Sequence, residues 1–188
     1  MLAGETDEAL DLWKRAFRSG TEIRARIIGA VASQLAADEW EQLFQPDVDG
    51  WAQLFEYYRK NEQPEQLRQV GQKYTQLADT SARALNGKAA ADLWFKLQFT
   101  HHLLGNLAEA AEAASKAVEA DAQNYGFHYI YALRAYQAGE LERALEQFRW
   151  CQSRRPDDPK LNRLVDSVRR TMHQVEATRP IAGHTSRG

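Results

Sequence analysis

The chain has 188 residues, 44% of them hydrophobic, with one cysteine and a formal charge of −2. That length and apolar content suffice for a packed core, one cysteine excludes an internal disulfide and any multi-cysteine metal site, and the near-neutral charge lacks the clustered basic face that a nucleic-acid backbone requires. Helix formers abound and prolines number five, so the expected fold is all-α.

Charge is unevenly spread. Residues 1–50 carry five Lys/Arg against ten Asp/Glu, and residues 121–188 carry eleven against eight, a weak dipole whose ends could attract neighbours head to tail within a screening length of about 8 Å. Glu5, Asp7, Glu8 and Asp11 occupy the start, where a signal peptide needs a basic stretch and an apolar run. The longest apolar run, Ile27–Ala32, is far too short to span a bilayer. A soluble chain is expected, cytoplasmic in preference, with the soluble part of a membrane or exported protein as the alternative.

In chain order, residues 4–17 match part of a pattern that recurs later: Gly4 falls on Gly105, Ala9 on Ala110, Trp13 on Phe148 and Ala16 on Ala117. They read as the second helix of a hairpin whose first helix is missing, which makes the chain part of a longer array or leaves Trp13 to be covered otherwise. Residues 21–35 follow as an amphipathic helix with Thr21 as N-cap and Ile23, Ile27, Ala30, Val31 and Leu35 inward. A short helix near Asp38–Phe44 stops before Pro46, and Asp47–Gly50 is a turn from which Asp49 caps the next helix. Residues 1–50 are thus degenerate helices that begin in mid-repeat. Residues 51–90 form a divergent, lengthened repeat: Trp51, Leu54 and Tyr58 face inward, Pro64 opens the second helix, and the surplus length falls in Thr75–Lys88, ending at Asn86-Gly87.

Residues 91–124 and 125–158 then superimpose as two ungapped blocks of 34. Gly105 matches Gly139, Leu107 matches Leu141, and Ala110 with Ala117 matches Ala144 with Cys151. Trp94, Leu97, His101 and Leu104 share one helical face, and Leu107, Ala110, Ala111, Ala114, Ala117 and Val118 share another after the break. Gly105 stops the first helix and Asn106, with Glu109 three residues on, is expected to cap the second. Period, central glycine and small-residue offsets resemble the tetratricopeptide repeat (TPR) family. Trp94, Leu97, Ala110, Phe148 and Pro156 fill family slots, while His128, Gln98, Ala114 and Ala122 depart from them. The segment 159–176 reads as a capping helix with Leu161, Leu164, Val165, Val168 and Met172 inward, and 177–188 as a disordered tail. The resemblance implies a right-handed superhelical α-solenoid of helix-turn-helix repeats.

It also implies a concave surface lined by the first helices of successive repeats, holding a peptide or a partner helix. The residues in those positions are Asp92, Phe95, Phe99, His102, Tyr129, Leu133 and Tyr136, with Arg163 and Arg134 at the edge. Some family members that bind chaperone C-termini use a clamp of Lys and Asn there. Phe95, Phe99, Tyr129 and Leu133 stand in its place, so the clamp is absent and the partner should be a protein or peptide with an apolar or aromatic segment, with an acidic flank or self-association as variants. The competing reading is a structural, self-assembling repeat tail of a larger envelope or secretion protein. LFQPDVDGWAQLFEYYRKNEQPEQL resembles the repeat tails of bacterial membrane proteins of the O-antigen ligase type.

No catalytic signature occurs, so no enzyme is expected. Cofactors and metal are expected to be absent: His101 and His102 are adjacent on a helix, point about 100° apart and cannot share an ion. Cys151 sits in a small-residue slot and reads as a buried thiol rather than a reactive one.

Overall fold

The computed structural model describes residues 2–178. Among the described residues stand ten helices and no strand: α1 (Leu2–Ser19), α2 (Thr21–Val31), α3 (Ala37–Phe44), α4 (Val48–Lys60), α5 (Pro64–Arg83), α6 (Gly87–Leu103), α7 (Leu107–Ala120), α8 (Tyr125–Gln137), α9 (Leu141–Arg154) and α10 (Pro159–Thr178). They divide into two compact units, Met1–Leu85 and Asn86–Gly188. The tail expected over 177–188 lies outside the described residues from 179 onward, while Ala177 and Thr178 belong to α10.

The second unit is a short α-solenoid of TPR-like hairpins. Each helix packs on the next, α6 on α7, α7 on α8, α8 on α9 and α9 on α10. Both hairpins close by the same device. Gly105 and Gly139 have φ of +81° and +82°, and no atom lies within 4 Å of a Cβ built on either, so the left-handed backbone rather than crowding requires glycine. Asn106 N–H donates to His101 O at 2.9 Å and Gly105 N–H to His102 O at 3.1 Å; Glu140 N–H donates to Ala135 O at 2.8 Å and Gly139 N–H to Tyr136 O at 3.2 Å. These are Schellman pairs, and they satisfy the last carbonyls of α6 and α8. Asn106 makes no side-chain cap, contrary to the capping-box expectation, because the residue after the glycine is already held through its backbone.

Ala110, Ala111, Ala113, Ala114 and Ala117 form the buried face of α7, where methyl side chains let Trp94 and Leu97 of α6 approach closely. Leu107, expected inward, is exposed in the first turn. The core continues through Ala132, Ala135, Ala144, Phe148, Cys151, Leu161, Val165 and Val168. Asn124 and Asp158 cap α8 and α10: Gly126 N–H and Phe127 N–H donate to Asn124 Oδ1 at 3.0 and 3.3 Å, and Lys160 N–H and Leu161 N–H donate to Asp158 Oδ1 at 2.9 and 3.2 Å.

In the first unit α4 pairs with α5, while α1 touches α2 and α3, α2 touches α4, and α3 touches α5. Its centre is aromatic. Phe17, Trp40 and Phe44 meet with ring centroids 5.0 to 5.8 Å apart. Trp40 Nε1–H donates to Tyr58 Oη at 3.2 Å, and Tyr58 Oη donates to Ala32 O at 2.8 Å. Two buried polar groups and a helix end are thereby satisfied by one side chain.

Several expectations fail here, each for a physical reason. Thr21 is the first residue of α2 and Gly20 its N-cap, with no side-chain bond. The inner face of α2 is Arg24, Ile27 and Ile28, continued by its C-cap Ala32, whereas Ile23 is 47% exposed and Ala30 is also exposed. Arg24 turns the helix: its Nε donates to Phe17 O at 2.9 Å, at the end of α1, and its Nη1 pairs with Asp47 Oδ1 at 3.3 Å. The cap of α4 is Asp47, not Asp49, since Gly50 N–H donates to Asp47 Oδ1 at 2.7 Å. A Cβ at Gly50 would lie 2.9 Å from Pro46 Cβ and 3.3 Å from Phe17 Cε1, so this turn admits only glycine without a shift. Gly4, matched in sequence with a turn glycine, lies inside α1, and Trp13 is exposed.

Leu97 is fully buried, so Leu97→Ala should cost about 2–5 kcal/mol in urea-induced unfolding. Tyr58→Phe keeps the ring but orphans Trp40 Nε1–H and Ala32 O, and should cost about 1–3 kcal/mol. An unchanged unfolding midpoint in either variant would refute the corresponding packing.

Candidate functional site

The first helices of the second unit are α6, α8 and α10, and their turns carry the expected groove residues. Asp92 and Phe99 are exposed and Phe95, His102, Tyr129, Leu133 and Tyr136 are half-buried. The reason is that the solenoid itself consumes most of this aromatic surface. Phe95 packs on Phe127 of α8 with centroids 5.2 Å apart. Tyr129 stacks on Tyr125 at 6.4 Å and forms a T-shaped pair with Phe148 at 6.2 Å. Leu133 and Tyr136 pack against the core cluster. Tyr136 Oη lies 3.2 Å from Thr171 Oγ1 and 3.4 Å from Ser167 Oγ, tying α8 to α10. Hydrogen bonds to Ser167 and Thr171 hold its phenol below the usual tyrosine range.

What stays open is a stripe on α6. Phe99 is 41% exposed and Leu103, one turn on, is 40% exposed, following Phe95 at the same four-residue spacing. Arg163 is exposed on α10, its Nε donating to Pro159 O at 3.1 Å, and it shares a shallow hollow with Lys160, Leu164, Ser167 and Arg170.

Two departures from the family slots prove to be linked to structure that spacing did not reveal. Gln98, in a slot where the family has glycine, is buried and accepts a hydrogen bond from Arg134 Nε at 2.7 Å. Arg134 Nη1 donates to Gln137 Oε1 at 2.8 Å. Arg134, read from sequence as an edge group, is instead buried, bonded across from α8 to α6. A polar residue in a tightly packed slot was the signal for a partner, because a buried amide must be bonded; the identity of that partner, 36 positions away, was not readable.

His128, in the Trp slot, is the second. Its ring stacks on Trp150 of α9 at 3.5 Å and 11°, with Nδ1 at 2.7 Å from Gln147 Oε1 and Nε2 at 3.0 Å from Ala122 O. The Arg154 guanidinium lies 3.2 Å from the Trp150 ring centre and that of Arg155 4.1 Å from Tyr125. The bulk missing from the first helix is supplied by the second.

His102 Nδ1 is enclosed without a hydrogen-bond partner among the described residues. Burial, and then the charge of Arg134, hold its imidazole below the ordinary histidine range. No group of three or more His, Cys, Asp or Glu among the described residues could hold a metal, and no helix among them is long and apolar enough to cross a membrane.

No family model matches the chain, and no curated protein matches it. Among solved structures, the crystal structure of MamA aligns over 90% of this chain and 82% of its own, at 14% identity and a TM-score of 0.49. PcrH in complex with the chaperone binding region of PopD aligns over 77% and 96%, at 18% identity and a TM-score of 0.38. A T3SS complex from Aeromonas hydrophila aligns over 81% and 95%, at 18% identity and a TM-score of 0.40. The class defined by the chain's own helices and its 34-residue period is an all-helical protein of TPR-like hairpins.

Cys151 is fully buried and burial pushes its thiol up to about 11. Iodoacetamide at pH 8 should therefore leave it unmodified in the native chain and alkylate it in urea, as read by intact-mass spectrometry. Rapid native labelling would mean that α9 opens readily.

Proposed function

We propose that the chain is a non-catalytic protein-interaction module that binds a peptide or helix of a protein partner on the α6–α8 face of its second unit. The observation that carries this is the stripe of Phe95, Phe99 and Leu103: three large apolar side chains at four-residue spacing, the last two open to solvent. Single exposed apolar residues need no explanation, whereas an aligned row on one helix presents the kind of face that helix-in-groove recognition uses. Phe99 is the anchor in this reading. Asp92 and His102 flank the stripe on α6, and Leu133 with Tyr129 and Tyr136 forms the half-buried floor. Arg163 stands at the far edge. The partner is an apolar or aromatic segment, and no cofactor takes part.

The test is selection of peptides from a displayed random library on the full-length chain, followed by affinity measurement in solution. Phe99→Ala should weaken the selected peptides by about 2 kcal/mol or more while lowering stability by only about 1 kcal/mol, because the side chain is partly exposed. Tyr129→Ala should instead lower stability by about 2–4 kcal/mol, since it removes packing against Tyr125 and Phe148. Failure to select any binder, or binders indifferent to Phe99→Ala, would overturn the reading.

A further inference from the structure

Among the described residues two arginines are buried, Arg24 and Arg134, and their surroundings differ in one respect. Arg24 has a carboxylate, Asp47, at 3.3 Å. Arg134 has none. Its two hydrogen bonds go to the neutral amide oxygens of Gln98 and Gln137, no ion pair is formed with it among the described residues, and its third nitrogen, Nη2, makes no hydrogen bond and is not enclosed. Guanidinium cannot discharge itself by losing its proton at neutral pH. A cation held between two helices without an anion is costly, and a stability role would be served as well by an apolar side chain.

The same spot lacks a second partner. His102, on the turn of α6 after Gln98, has its Nδ1 enclosed and unbonded, and it is near enough to feel the Arg134 charge. Phe99 and Leu103, the exposed stripe, occupy the positions next to Gln98 and His102 on that helix. One carboxylate placed against Nη2 would give Arg134 its missing counter-charge. It would also turn the charge sensed by His102 from repulsive to balanced.

We infer that Arg134 is the seat for an acidic side chain of the docked partner, so that the module recognises an apolar segment carrying an internal Glu or Asp beside its anchor residue. The inference rests on the reading of the α6–α8 face as the docking face. It differs from the Lys/Asn clamp for chain termini, whose slots hold Phe95, Phe99, Tyr129 and Leu133. Gln98 and Gln137 fix the direction of the guanidinium fork, and a carboxylate can accept from it in the plane that fork defines.

Three pools of nonamer peptides of one shared apolar-aromatic composition test this, all N-acetylated. The first carries Glu at the central position and a C-terminal amide, the second Gln with the amide, and the third Gln with a free C-terminal carboxylate. The Glu pool should bind the full-length chain at least about tenfold more tightly than the Gln amide pool, roughly the 1.4 kcal/mol of one modest charge-assisted bond. That preference should vanish in Arg134→Met combined with Gln98→Leu, which removes the cation and the amide it would otherwise orphan. In the wild-type chain, saturation with a single Glu peptide should raise the pH midpoint of His102 followed by NMR, while its Gln counterpart should not. This readout decides the matter even if the double variant loses its helical signal.

Equal binding of the Glu and Gln amide pools, or an unmoved His102, would overturn the anion seat and leave the docking face standing. Preference for the free C-terminus over the internal Glu would overturn the assignment to a side chain. Absence of binding by every pool, or a dimer in sedimentation that excludes all of them, would overturn the docking face and the seat together.

Discussion

The hairpin turn at a left-handed glycine is the constraint on which the second unit depends. With φ near +80° at Gly105 and Gly139, the chain reverses within three residues, and the next helix returns along the previous one at a fixed crossing. Close return is useful only if the facing side chains are small, and α7, packed between α6 and α8, buries five alanines. A side chain at either glycine would strain the backbone by about 1 kcal/mol or more, whatever the free space around it. Turn and alanine face are therefore one device: the glycine sets the angle and the alanines set the distance.

This is also why the second unit was readable from sequence. A left-handed glycine and an alanine stripe leave marks at fixed offsets, and a period of 34 repeats them. The first unit carries no such repetition. Periodicity misplaces its inner face on α2, because it ranks residues by hydrophobicity and Ile23 outranks Arg24 on that measure. Arg24 nevertheless goes inside, since its guanidinium meets the open carbonyl end of α1 and the Asp47 that caps α4. Tertiary hydrogen bonding of this kind has no period. The α4 cap falls to Asp47 rather than Asp49 by a local contact, its Oδ1 accepting from Gly50 N–H three residues on.

The helical placement of the candidate residues was legible in the sequence, their exposure less so. Spacing correctly brings Phe95, Phe99 and His102 to successive turns of α6 and Tyr129, Leu133 and Tyr136 to those of α8. What one helix at a time cannot tell is how much of each side chain the neighbouring repeat covers. Phe127 takes Phe95, Phe148 takes Tyr129, and α10 takes Tyr136 through Ser167 and Thr171. In a stack every first helix lends part of its inner face to the next, so aromatic content overstates free surface.

That loss of surface alters which forces can act at the face. Two open apolar side chains, Phe99 and Leu103, bury too little area on their own to orient a partner, because apolar contact is non-directional and scales with area. Direction has to come from polar groups held in place by the fold. In the proposed docking, Arg134 would meet that need through Gln98, whose amide is buried in the α6–α8 contact and holds the guanidinium through Nε. A glycine at position 98, as the family slot has it, would leave the arginine without a support and a void where the buried amide stands. The departure from the repeat pattern at Gln98 thus ties packing between α6 and α8 to the position of the buried Arg134 charge.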